Sequence, residues 1–122
     1  DNHLVAERGI EALQKAINQL RVDKPGVEVE LEADRLEQVE AFLKLDGVDY
    51  ILLDNMNNDS LRKAVEMREG KGPLLEASGG VDLQTVAAIA KTGVDFISVG
   101  ALTHSATALD LSLEFTELSD GE

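Results

Sequence analysis

Cysteine and tryptophan are absent from this chain of 122 residues, aromatic residues make up 3% of it, and proline occurs twice. Without cysteine there is no disulfide and no thiolate chemistry, which fits a reducing compartment and makes the cytoplasm the default expectation. Histidine occurs twice, at His3 and His104, with no HExxH-type spacing, so a zinc centre is not expected. No Ser-His-Asp arrangement can be placed either, because no histidine lies near Ser78 in the sequence. No apolar run approaches the roughly 18 residues of a membrane-spanning helix. The opening "DNHLVAERGIE" has neither the basic start nor the apolar core of a secretory signal, and Asp1 in place of an initiator Met points to a processed or excised segment. Positive charge is also scarce: 11 Lys and Arg stand against 24 Asp and Glu, a formal charge of -13. Such a field repels phosphate backbones and anionic lipids, so neither nucleic acid nor a membrane is an expected partner. An anion site must then rest on backbone N–H groups, on a metal, or on basic residues from another chain.

What is present suits one α/β domain over residues 1–122, with enough apolar sequence for a core. Ile10, Leu13, Ile17 and Leu20 mark a helical face that "KPG" stops. "VEVELE" alternates as a strand. Asp34 is placed to cap a helix carrying Leu36, Val39 and Leu43, with Gly47 beyond its end. "DYILLD" is the next strand, a helix follows from about Ser60 through Leu61, Ala64 and Val65, and "LLEAS" is a third strand. Asp82 is placed to cap a helix of Val86 and Ile89, closed by Gly93, and "DFISVG" is the fourth strand, followed by a short turn at "LTHSA" and an alternating "LDLSLEF". Repeated β-then-α units imply a parallel sheet. "GVDYI" and "GVDFI" are near copies two units apart, from an internal duplication or from one loop geometry used twice.

Alternation sorts the strand residues into two faces. Val27, Val29, Leu31, Ile51, Leu53, Leu75, Ala77, Ile97 and Val99 form an apolar face. Opposite lie Glu28, Glu30, Glu32, Leu52, Asp54, Glu76, Ser78, Phe96, Ser98 and Gly100. Helices on both sides of a parallel sheet would demand apolar strands on both faces, since buried unpaired carboxylates are costly. The pattern therefore favours part of a TIM-like (β/α) barrel over an open, flavodoxin-like doubly wound sheet. Glu30, Glu32, Asp54, Glu76, Ser78 and Gly100 then converge on one mouth; in an open sheet they would merely be solvated.

Two glycine turns follow strand ends in this reading, Gly79 and Gly80 after "LLEAS", and Gly100 with Ala101 after "DFISV". Glycine lets a backbone turn sharply and present N–H groups, and a helix N-terminus adds more, so such turns can hold a phosphate. Each alone also reads as a tight loop. His104, beside the second turn, could contact an anion or serve as a surface or capping residue.

"DNHL", the E-x-E pair, "LLDNM", "LEASGGV", "TGVDFISVGALTHS" and "LDLSL" occur in an order and spacing that resemble the C-terminal barrel portion of nicotinate-nucleotide pyrophosphorylase, or quinolinate phosphoribosyltransferase, over nearly the whole chain. The resemblance implies a glycosyltransferase that joins quinolinate to phosphoribosyl pyrophosphate with Mg²⁺ and loses CO₂ to give nicotinate mononucleotide, a step in making NAD. It implies an α/β barrel with a second domain upstream, working as a dimer. In the family a Leu follows the functional Glu by four residues; Leu36 selects Glu32, with Glu30 preceding it. By the same resemblance Glu32 and Asp54 are the catalytic carboxylates, holding ribose hydroxyls and, through water, the metal. Ser78, Gly79, Gly80, Gly100 and Ala101 match the positions that cradle the 5′-phosphate. The family's Lys before "DNH", its upstream Arg and His motifs, and its small-residue turn at "AERGI" are not found here. This chain is then expected to supply the acidic and ribose-phosphate half of a site, inactive alone, and to associate with a copy or with a complementary barrel half. The alternative is a non-catalytic α/β scaffold that self-associates.

Overall fold

A computed structural model describes residues 2–99 of the chain. Gly100, Ala101, His104 and the "LDLSLEF" segment lie outside the described residues.

Helix α1 runs over Asn2–Asp23 and ends where Lys24 N donates to Leu20 O, just before Pro25. Its apolar stripe meets the core through Ile17, which is buried, and through Ile10, Leu13 and Leu20 packed beside it. Gln14 fixes the helix to the loop before the second strand, donating to Asp46 O and accepting from Asp46 N.

Strand β1, Glu30–Ala33, is followed by α2, Leu36–Phe42. The alternation of "VEVELE" predicts a strand from Val27, but the ladder starts at Glu30 because its partner begins at Tyr50. Val27 is left 47% exposed. Asp34 does not cap α2. Gln38, inside the helix, reaches back and its Oε1 accepts from Asp34 N and Arg35 N, so the orphan donors are satisfied from within.

The second unit comprises β2, Tyr50–Asp54, and α3, Asn58–Arg68, capped by the side chain of Asn57, which accepts from Ser60 N. Next come β3, Leu74–Ser78, and α4, Val86–Ala90. Asp82 precedes α4, accepting from Gln84 N and Thr85 N. The final described strand is β4, Phe96–Ile97.

All pairings are parallel and the order in space is β1-β2-β3-β4. A flavodoxin-like sheet would reverse direction about its first strand, and no such reversal occurs among the described strands. Consecutive order is that of a barrel wall. Ile51, Leu53, Leu75, Ala77, Ile97 and Val99 are buried in one cluster with Ile17, Val39, Leu61, Ala64 and Ile89 from the four helices. The helices therefore cover a single face. Each such Leu or Ile contributes roughly 1.5–3 kcal/mol by leaving water.

The two "GVD" loops have one geometry. Gly47 and Gly93 adopt φ of 91° and 98°, and each turns beneath a helix: a Cβ on Gly47 would stand 2.9 Å from Ile17 Cγ2, and one on Gly93 3.1 Å from Val65 Cγ1. The aspartates that follow act alike. Asp49 Oδ2 accepts from Val29 N at 2.7 Å, and Asp95 Oδ2 from Leu75 N at 2.8 Å.

Candidate functional site

The face that the helices leave bare carries the chemistry. Register places Glu30 level with Tyr50 in one row, Glu32 with Leu52, Glu76 and Phe96 in the next, and Asp54 with Ser78 in the row at the strand ends. Glu32, Asp54 and Ser78 therefore share a face, and the two carboxylates line one depression of about 210 Å³ with Ala33, Asp34 and Gln38. Glu30 lies one row deeper, away from the strand ends. Its carboxyl is held above the usual glutamate value by partial desolvation and by the nearby charges of Glu76 and Glu32. Ser98 Oγ donates to Glu76 Oε2 at 2.6 Å, which ties β4 to β3 on this face. Tyr50 and Phe96 meet edge to face below them, with centroids 6.0 Å apart.

The glycine turn directly abuts the acidic one. Gly79 and Gly80 have φ of 82° and 68°, conformations in which a side chain is strained. Gly79 has a further reason to lack one: a Cβ there would lie 2.8 Å from Asp54 Oδ1 and 3.0 Å from Asn55 N. Among the described residues no acceptor takes the N–H groups of Gly79 and Gly80, which remain as donors at the end of β3. The helix that follows does not add donors as its sequence suggests. The first free N–H groups before α4 are taken by Asp82, and its five residues begin well past the glycines. A cleft of about 430 Å³ opens beside the turn, between Asn55–Asn58 on one side and Ser78–Val81 with the start of α4 on the other.

Among the described residues no group of three His, Cys, Asp or Glu could hold a metal ion unaided. Glu32 and Asp54 offer hard oxygen donors from two sides of one depression. That donor set suits a cation such as Mg²⁺, which keeps most of its water and takes further ligands from substrate phosphates. The arrangement can thus accept hydroxyls or a hydrated cation on its carboxylates, and an anion on its bare amides.

Sequence reasoning places Glu30, Glu32, Asp54, Ser78, Gly79 and Gly80 at this site, and the structure brings all but Glu30 to the strand-end rim. It missed Asp34 and Gln38 in the depression, and Asn55 between the acid and the glycines. The signal for Asn55 was the residue type: Asn directly after a strand tolerates the left-handed backbone that a sharp exit needs.

A family model described as quinolinate phosphoribosyl transferase, C-terminal domain, matches residues 1–114. The nicotinate-nucleotide pyrophosphorylase of Mycobacterium leprae is 40% identical over 93% of this chain and 39% of its own length. That of Arabidopsis thaliana, whose name specifies the chloroplast, is 41% identical over 98% of this chain and 38% of its own. Among solved structures, nicotinate-nucleotide pyrophosphorylase from Ehrlichia chaffeensis superposes with a TM-score of 0.65 at 43% identity, over 84% of this chain and 36% of that one. The enzyme from Francisella tularensis gives 0.66 at 37% identity, over 75% and 32%. The chain thus spans under two fifths of the relatives it matches. Consecutive parallel strands, helices on one face among the described residues, and a family match over residues 1–114 lead to one conclusion: the chain belongs to the quinolinate phosphoribosyltransferase family, within the TIM-barrel C-terminal domain of those enzymes.

Proposed function

We propose that this chain provides the ribose-phosphate and acidic half of a site that transfers a phosphoribosyl group from phosphoribosyl pyrophosphate to quinolinate, with loss of CO₂ to give nicotinate mononucleotide for NAD synthesis. The observation that carries the reading is the adjacency of two chemistries at one rim, with Asp54 seated against Gly79 and Glu32 facing the same depression. In such a transfer the ribose gains positive charge as pyrophosphate departs. Glu32 and Asp54 would accept the sugar hydroxyls and stabilise that charge. Ser78, with the N–H groups of Gly79 and Gly80, would hold the 5′-phosphate, and Gly100 and Ala101 would complete the cradle. Bound Mg²⁺, held through water by Glu32 and Asp54, would neutralise the pyrophosphate leaving group. Glu30, a row deeper, would act on the substrate only through Glu32.

With a formal charge of -13, the basic groups that grip quinolinate and pyrophosphate would come from outside these 122 residues, from a partner copy or a complementary barrel half. Among the described residues no helix is long and apolar enough to cross a membrane. The absence of cysteine is compatible with a reducing compartment such as the cytoplasm.

The test is a chimera in which these residues replace the matching segment of the Mycobacterium leprae relative. It should form nicotinate mononucleotide, and Glu32→Gln or Asp54→Asn should lower kcat about 100-fold or more. A folded chimera with no product, or one indifferent to both changes, contradicts the proposal. A second reading, a non-catalytic scaffold, draws on the open edge of β1, which pairs with β2 alone among the described strands. It predicts the inert chimera.

A further inference from the structure

The chain leaves β2 in a conformation that few side chains adopt. Asn55 has a φ of 56°, and among the described residues the only other non-glycine with positive φ is Glu69, the left-handed cap that ends α3. No helix ends at Asn55, so its strain has another cause. Its N–H donates to Ser78 O at 2.7 Å, one bond past the Asp54–Ser78 pair, and continues the ladder after both strands have ended. The left-handed turn then lays this backbone over Gly79, where a Cβ would meet Asp54 Oδ1 at 2.8 Å, Asn55 N at 3.0 Å and Asn55 Cα at 3.3 Å. The Asn55 amide oxygen lies against Gly80, 3.4 Å from where its Cβ would stand. The closest approach made by the first glycine is therefore to the acidic loop, and Asn55 is the residue that brings the loop there.

We infer that Asn55 is a positioning residue that locks the Asp54 carboxylate to the Ser78–Gly80 turn, so that the hydroxyl acceptor and the phosphate donors are presented as one unit of fixed spacing. The inference rests on the phosphoribosyl reading above. A ribose 5-phosphate spans a fixed distance between its hydroxyls and its phosphate, and two independently moving loops would have to be ordered at each binding event. A backbone hydrogen bond across the strand ends, held by a residue type that tolerates positive φ, removes that cost in advance.

The test uses the full chain and three variants. Asn55→Val adds a β-branch that this φ disfavours, and the milder Asn55→Ala keeps the Cβ but loses the polar side chain that lets Asn adopt it, whereas Asn55→Gly keeps the backbone conformation and deletes the amide. Two readouts are taken: the amide resonances of Ser78, Gly79 and Gly80 without ligand, and the affinity for ribose 5-phosphate by calorimetry. Asn55→Val and Asn55→Ala should shift all three resonances and weaken binding about tenfold, while Asn55→Gly restores both to within about twofold. The inference is overturned if Asn55→Ala leaves the resonances and the affinity unchanged. It is equally overturned if Asn55→Gly binds as weakly as Asn55→Ala with unshifted resonances, since the amide would then be touching the ligand. Should the parent chain not bind ribose 5-phosphate, the phosphoribosyl reading fails, and the ligand-free resonances still decide whether Asn55 couples the loops.

Discussion

The carboxylate of Asp95 accepts the N–H of Leu75 at 2.8 Å, and its own N–H returns to Leu75 O at 2.9 Å, so one residue closes both hydrogen bonds at the entry of the β3–β4 pair. Asp95 also takes Nη1 of Arg68, whose Nε is buried without a partner among the described residues. Asp95→Ala would strip the guanidinium of its counter-charge in a setting where its side chain is only 11% exposed, and should cost about 3 kcal/mol. Asp49 plays the same backbone role toward Val29. Asp49→Ala should cost only about 1 kcal/mol, since Tyr50 N and Asp49 N still bond Val29 O and only one donor is released. Urea midpoints at constant slope measure the difference, and equal losses would argue against it.

Three glycines separate backbone need from packing need. Gly47→Ala combines a φ of 91° with a contact of 2.9 Å to Ile17, and should lose about 2 kcal/mol. Gly93→Ala, at 98° and 3.1 Å from Val65, should lose a similar amount, about 2 kcal/mol. Gly26→Ala meets nothing within 4 Å and has no positive φ, so it should be neutral or gain up to about 1 kcal/mol. Thermal unfolding of the three variants orders them.

Much of the fold was legible because alternation is local information. Ile51 and Leu53 are buried while Asp54 is exposed, as a period of two requires, and the acids on the opposite face rightly exclude helices on both sides. What failed depended on partners far along the chain. Val27 is extended in pattern but has no strand partner among the described residues, because β2 begins opposite Glu30. Asp34 reads as a cap, yet the helix starts one residue later and Gln38 reaches back from inside it to accept from Asp34 N and Arg35 N. At the site, residue types located Asp54 and Gly79 separately. Their contact, and the turn of Asn55 that makes it, is a tertiary fact with no sequence period behind it.

Glu30 gives the protein a pH signature. Its folded carboxyl titrates above the usual 4.5, through partial desolvation and then Glu76 and Glu32, so between the unfolded and folded values the native state binds more protons. Stability attributable to this group therefore falls as pH rises through that window and stays lower above it. Glu30→Gln removes the repulsion, and its gain over the parent should be present at pH 7, shrink as pH falls from the raised folded value towards the unfolded 4.5, and be gone below it. Denaturation midpoints of both proteins from pH 3 to 7 check this; a gain constant across the range would contradict it.

In the proposed site Asp54 and the Gly79–Gly80 amides act together on a sugar bearing a phosphate. The most direct measurement is calorimetric titration of ribose 5-phosphate into the parent chain, Asp54→Asn and Gly79→Val, each confirmed as folded by circular dichroism. Saturable binding to the parent, weakened about tenfold or more in each variant, is the predicted result. Affinity that is unchanged in Gly79→Val, where the new side chain would collide with Asp54 and fill the turn, would contradict it.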